Sequence, residues 1–174
     1  MKKTLQFLSL SVIVLFSCRE NIKEKTTPES LKIESNNKMG STPKNIILMI
    51  GDGMGISQIT AGMYRNGNKL ELERCKVIGL IKTNSKKQLI TDSSAGATAF
   101  ATGKKTRNGM VSQAMEDSAN FKTFVEYAEE NKKATGIVVT STVTHATPAC
   151  FYAHYPRRYN ANEPISAQFM QSGV

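Results

Sequence analysis

The chain has 174 residues, 40% of them hydrophobic and 21% charged, which suits one globular domain with its own core and excludes a disordered or fibrous composition. Its formal net charge is +9, yet the lysines are scattered, many of them within the first 45 residues, and no aromatic-interleaved basic stripe marks a nucleic-acid surface. A positive balance of this kind favours small anions, phosphate esters among them.

In chain order, the first element is a processing segment. Lys2 and Lys3 precede a short apolar stretch at 5–16, shorter than the roughly 20 apolar residues that span a bilayer. This pattern reads as a secretory signal peptide. The run Leu15-Phe16-Ser17-Cys18 resembles a bacterial lipobox. Lipidated Cys18 would tether an exported protein to the membrane, on the periplasmic or cell-surface side, without spanning it; a plain signal is the alternative. Residues 1–18 are therefore read as a lipoprotein signal peptide. Residues 19–43, rich in Lys, Glu, Asn, Thr, Ser and Pro, read as a flexible polar linker. The remaining cysteines, Cys75 and Cys150, are left unassigned, with free thiols as the ordinary expectation.

The ordered domain spans 44–174. The apolar run 45–50 predicts a strand buried on both faces, and the glycines of Gly51-Asp52-Gly53-Met54-Gly55 predict a tight turn into a helix over 57–64. A second strand is predicted at 77–81 and a third at 136–141. Helices are predicted over 93–103, with Gly103 as the stop, and over 121–131, with Phe121, Phe124, Val125 and Ala128 on one face. Strands alternating with helices predict an α/β fold with a largely parallel sheet flanked by helices. Functional groups in such sheets gather at the carboxyl ends of the strands, where Asp52 falls.

Three clusters carry chemistry, and each also has an ordinary structural explanation. Asp52 between glycines suits a cation that backbone must approach closely, or simply a turn. Asp92-Ser93-Ser94 at a helix start is either an N-cap or a nucleophile placed where a helix terminus favours negative charge. His145 and Thr147, if extended, share one face and could serve a metal or its bound water; a hydrogen-bonded histidine is the simpler explanation. Arg158, beside Arg157, offers a bidentate partner for phosphate oxygens.

The order and spacing of Ile50-Gly51-Asp52-Gly53-Met54-Gly55, Thr91-Asp92-Ser93-Ser94-Ala95-Gly96-Ala97-Thr98-Ala99, Thr102-Gly103-Lys104-Lys105-Thr106-Arg107-Asn108-Gly109, His145-Ala146-Thr147-Pro148-Ala149 and Ala153-His154 followed by Arg158 resemble the alkaline phosphatase family over 44–174. The resemblance implies a phosphate monoester hydrolase using Zn2+ and Mg2+. Ser93 would form a phosphoserine, and Arg158 would clamp the phosphate with Asp92 orienting it. Asp52, Ser93, His145 and Thr147 would lie at the metals. Homodimerisation is common in the family. The resemblance also implies further zinc and magnesium ligands that this chain, with two histidines, does not supply. The sequence thus reads as the truncated N-terminal part of such an enzyme, and an inactive lipoprotein fragment with weak metal or anion binding is the alternative. Sulfatases, phosphodiesterases and cofactor-independent phosphoglycerate mutases share the strand–Asp–metal plan, but the Asp-Ser-Ser-Ala run favours monoesterases.

Overall fold

A computed structural model of the chain describes residues 43–174; the predicted signal peptide, lipobox Cys18 and nearly all of the linker lie outside the described residues. The elements run α1 (Ile56–Arg65), a 3-10 turn (Glu71–Arg74), α2 (Ser93–Thr102), α3 (Phe124–Glu130), α4 (Ala146–Ala149) and α5 (Asn162–Gln171). The site and the core both belong to the unit Leu48–Val174.

Local chemistry sets the helix ends. Asp92 caps α2, its side chain accepting from the Ala95 N–H, and Gly103 closes the helix in the left-handed region at φ 70°. The α3 helix starts three residues later than its apolar spacing suggests, because Thr123 forms a capping box with Glu126: Thr123 Oγ1 accepts from the Glu126 N–H, and Glu126 accepts from the Thr123 N–H. Phe121 is left outside the helix, while Val125 is buried. Partial burial opposes charge on Glu126, but the Thr123 amide and His154 hold its carboxyl below the usual range.

The core is built from small residues. Ala97 and Ala101 of α2 pack with Ala149, Cys150 and Ala153, and Val111, Val125, Phe151, Tyr152, Ala161 and Ile165 complete the cluster. Short side chains let helix backbones approach closely, so α2 lies directly against α4. The Tyr152 ring meets Phe169 of α5 edge-on, with centroids 5.0 Å apart.

The predicted strand segments are not paired into a sheet among the described residues. Only isolated antiparallel bridges occur, Val111 with Tyr155 and Gln113 with Asn120. Runs 45–50, 77–81 and 136–141 make no backbone–backbone hydrogen bonds there. Ile50 and Ile137 reach the core, but Met49, Leu80 and Val138 are 89%, 99% and 100% exposed. β-propensity describes fit to a pleated, half-buried surface, and without a neighbouring ladder these runs have nothing to fit.

Candidate active site

Asp52 follows the 45–50 run, and its turn is closed by the Met54 N–H donating to the Gly51 carbonyl at 3.2 Å. Gly53 sits at φ 65°, where an L side chain would be strained. The turn aims the Asp52 carboxylate at two hydroxyls. Ser93 Oγ donates to Asp52 Oδ1 at 3.0 Å, and Thr147 Oγ1 donates to Oδ2 at 2.6 Å. One carboxylate thereby joins the first residue of α2 to the middle of α4.

That geometry corrects one expectation. His145 and Thr147 do not share the face of an extended segment. Residues Ala146–Ala149 form a short helix with His145 as its N-cap. Pro148 is tolerated there because N–H groups of a first turn have no helical partner anyway. Thr147 turns to Asp52, and His145 turns to a cavity of about 220 Å³ lined by Asp92, Ser93, Ser94, His145, Arg158 and Tyr159.

The two adjacent serines differ. Ser94 is 1% exposed, and its carbonyl accepts from the Cys150 thiol at 3.3 Å. Ser93 is partly exposed, with its proton directed at Asp52. Arg158 is partly buried, and its Nε is a buried donor without a hydrogen-bond partner. Arg158 also lines the cavity, and a guanidinium in a cavity lining suits an anion. Arg157, in contrast, is exposed.

Asp92 takes the N-cap role. Its Oδ1 accepts from the Ala95 N–H at 2.8 Å and its Oδ2 from the Gly109 N–H at 2.7 Å. No ion pair joins it to Arg158 among the described residues, although both line the cavity. Tyr159, Asn108 and Gly109 were not singled out from the sequence as site residues. The Asn108-Gly109 end of the third motif is a signal for the latter two, and no motif points to Tyr159.

The donors near Asp52 are one carboxylate and two hydroxyls. This oxygen-rich set fits part of the shell of a hard cation such as Mg2+, which binds through one or two carboxylates and keeps several waters. It does not make a zinc site, which draws on about four Cys, His, Asp or Glu donors. Among the described residues no three such side chains cluster. Cys75 is exposed and Cys150 buried, and both are free thiols. His154, the other histidine, stands apart from Ser93: its ring nitrogens lie 2.9 Å from the Ser112 carbonyl oxygen and 3.0 Å from Glu126 Oε1.

A serine at a helix start, hydrogen-bonded to a carboxylate and lining a cavity together with an arginine, defines the candidate site. The chain belongs to the alkaline phosphatase family, whose profile matches residues 43–173. It is 37% identical over 173 residues to Alkaline phosphatase 3 of Bacillus subtilis, covering 92% of this chain and 36% of that protein. It is 38% identical over 130 residues to the Streptomycin-6-phosphate phosphatase of Streptomyces griseus, covering 70% of this chain and 29% of that one. Among solved structures, the alkaline phosphatase of the Antarctic bacterium TAB5 superimposes with a TM-score of 0.72 at 46% identity, over 76% of this chain and 38% of that chain. A histidine-to-aspartate variant of the TAB5 enzyme has been solved with Mg bound in its M3 site. These likenesses establish an alkaline-phosphatase-like fold, and the chain spans 29% to 38% of the length of these relatives.

Proposed function

We propose that this chain supplies the nucleophile and phosphate-binding part of a metal-dependent phosphate monoester hydrolase that acts through a phosphoserine. The observation carrying the proposal is the Asp52 carboxylate gathering Ser93 and Thr147 beside the cavity that holds Arg158. Arg158 binds two phosphoryl oxygens, and the first N–H groups of α2 face the same anion. Ser93 holds its proton toward Asp52 Oδ1, leaving its lone pairs free to approach phosphorus in line with the leaving alcohol. Burial of Ser94 supports Ser93 as the nucleophile. His145 lines the cavity and is assigned to the outer shell of the metal region.

Asp52 and Thr147 would hold Mg2+, with Ser93 adjacent. Bound metal supplies positive charge that offsets the anionic phosphoryl group and the developing alkoxide. Zinc, implied by the family resemblance, needs donors beyond those the described residues provide.

The wider proposal includes the runs 45–50, 77–81 and 136–141 as strands of a largely parallel sheet, export and membrane anchoring through Cys18, a polar spacer at 19–43, and homodimerisation of the whole enzyme. The reading as an inert fragment draws on the sparse donor set described above.

Transplantation tests the main proposal. Residues 43–174 would replace the matching segment of the TAB5 enzyme, and turnover of a chromogenic phosphate monoester would be measured with and without Ser93→Ala. The expected result is activity in the chimera and a loss of at least roughly 10³-fold in the variant. Equal turnover by both would move the nucleophile elsewhere, and a folded but inactive chimera would mean that residues 43–174 do not supply a working nucleophile and phosphate-binding part.

A further inference from the structure

Asp92 and Arg158 line one cavity but do not touch, so something else must set the distance between the start of α2 and the arginine. The backbone of Gly109 makes that connection. Its N–H donates to Asp92 Oδ2 at 2.7 Å, and its carbonyl accepts from the Arg158 N–H at 2.6 Å. A single buried residue thus links the cap of the serine helix to the main chain of the arginine. The conformation is restrictive. Gly109 sits at φ 83°, and a Cβ there would lie 3.3 Å from the ring of Tyr159, another wall of the cavity.

The residue before it holds the other side of Asp92. Asn108 Oδ1 accepts from the Asp92 N–H at 3.2 Å, while Asn108 Nδ2 donates to the Ile90 carbonyl at 3.1 Å. Consecutive residues therefore grip Asp92 by its main-chain amide and by its carboxylate. The same loop is fastened to the arginine segment. Val111 and Tyr155 exchange two backbone hydrogen bonds of 2.9 Å, and Arg107 donates to the Pro156 carbonyl at 3.3 Å. The carboxylate of Asp52, with Ser93 and Thr147, makes no contact with this loop through its own hydrogen bonds.

We infer that Asn108 and Gly109 are positioning residues: together they fix the separation and register of the Ser93 end of α2 and the Arg158 guanidinium, and so set the affinity of the cavity for a phosphoryl group. The inference rests on the reading of Ser93 and Arg158 as the phosphoryl site. It is distinct from a stabilising role, because a loop that merely held the fold together would not tune an anion at a guanidinium it does not touch.

The test uses the full 174-residue chain and inorganic phosphate. Titration would be followed by the NMR resonances of the Arg158 side-chain Nε–H and of the Ser93 amide, with urea unfolding measured in parallel. Arg158→Ala is the reference and should abolish the response. Asn108→Ala, which loses both side-chain hydrogen bonds, should raise the phosphate dissociation constant roughly three- to tenfold, and Gly109→Ala, which keeps its backbone hydrogen bonds but strains the φ 83° conformation and crowds Tyr159, should shift it in the same direction. Two variants are used so that poor folding of Gly109→Ala leaves Asn108→Ala as the arbiter. Unchanged phosphate affinity in Asn108→Ala, with the Arg158→Ala response lost, would overturn the positioning role while keeping the phosphoryl site. A lowered urea midpoint with no change in affinity would overturn it too. No phosphate response in the unaltered chain would overturn the site itself, and the inference with it.

Discussion

Ser93 and Ser94 are adjacent, yet one helical step separates a hydroxyl directed at Asp52 from a residue packed against Cys150. Cys150 itself shows what that burial does. Removal from water pushes its thiol up to about 12 from an ordinary 9.0, against the weaker pull of its Thr98 and Ser112 partners. In the unfolded chain the thiol ionises near 9.0, so above that pH the unfolded state binds fewer protons than the native one. The stability contribution is therefore complete below about pH 9 and is lost as pH rises toward about 12. Burial raises the Tyr152 hydroxyl from 10.0 to about 12 as well, with the same sign. The urea midpoint should fall between about pH 8 and about pH 10.5, and less steeply in Cys150→Ala, where only the Tyr152 contribution remains. An equal slope in both proteins would remove Cys150 from the account.

At the scale of elements, the placing of Ser93 depends on how α2 is held. Thr98, fully buried, accepts from the Ser112 N–H at 3.0 Å and lies 3.4 Å from the Met110 carbonyl and 3.5 Å from Cys150 Sγ. Its hydroxyl ties the helix to the 110–112 segment and to the end of α4. Thr98→Val keeps the shape but leaves the buried Ser112 N–H without an acceptor, a loss of about 1–3 kcal/mol. Urea unfolding should show that cost, and Thr98→Ser, which retains the hydroxyl, should lie closer to the original protein. The reverse order would mean that the methyl group, not the hydrogen bond, holds α2 in place.

For the whole molecule, the proposed phosphoryl site comes with few metal donors. One carboxylate and two hydroxyls meet at Asp52, and no three metal-binding side chains cluster among the described residues. The 174-residue chain by itself, supplied with zinc and magnesium, should therefore turn over a chromogenic phosphate monoester no faster than its Ser93→Ala variant. Turnover clearly above that control would mean that the present donors suffice. The exposed apolar side chains of Met49, Leu80 and Val138 belong to the same scale: they are well suited to a sheet, and they lack a partner among the described residues.

By itself the sequence determined what depends on neighbours along the chain. The cap at Asp92, the stop at Gly103, the extents of α1 and α2 to within about a residue, and the motif order that marks the family were all legible, because caps, glycine turns and helical periodicity act over three or four residues. Capping-box chemistry at Thr123 is equally local, and it outweighs the apolar spacing that begins at Phe121. Only the tertiary structure decided what depends on residues far apart. It turned His145-Ala146-Thr147 into a helix start with its two side chains directed to different places. It joined Ser93 to Thr147 through Asp52, and it carried the link from Asp92 to Arg158 through Gly109. Strand pairing is of the same kind: a run such as 45–50 states a preference, but a ladder needs a second backbone about 4.8 Å away, and no local pattern of residues supplies one.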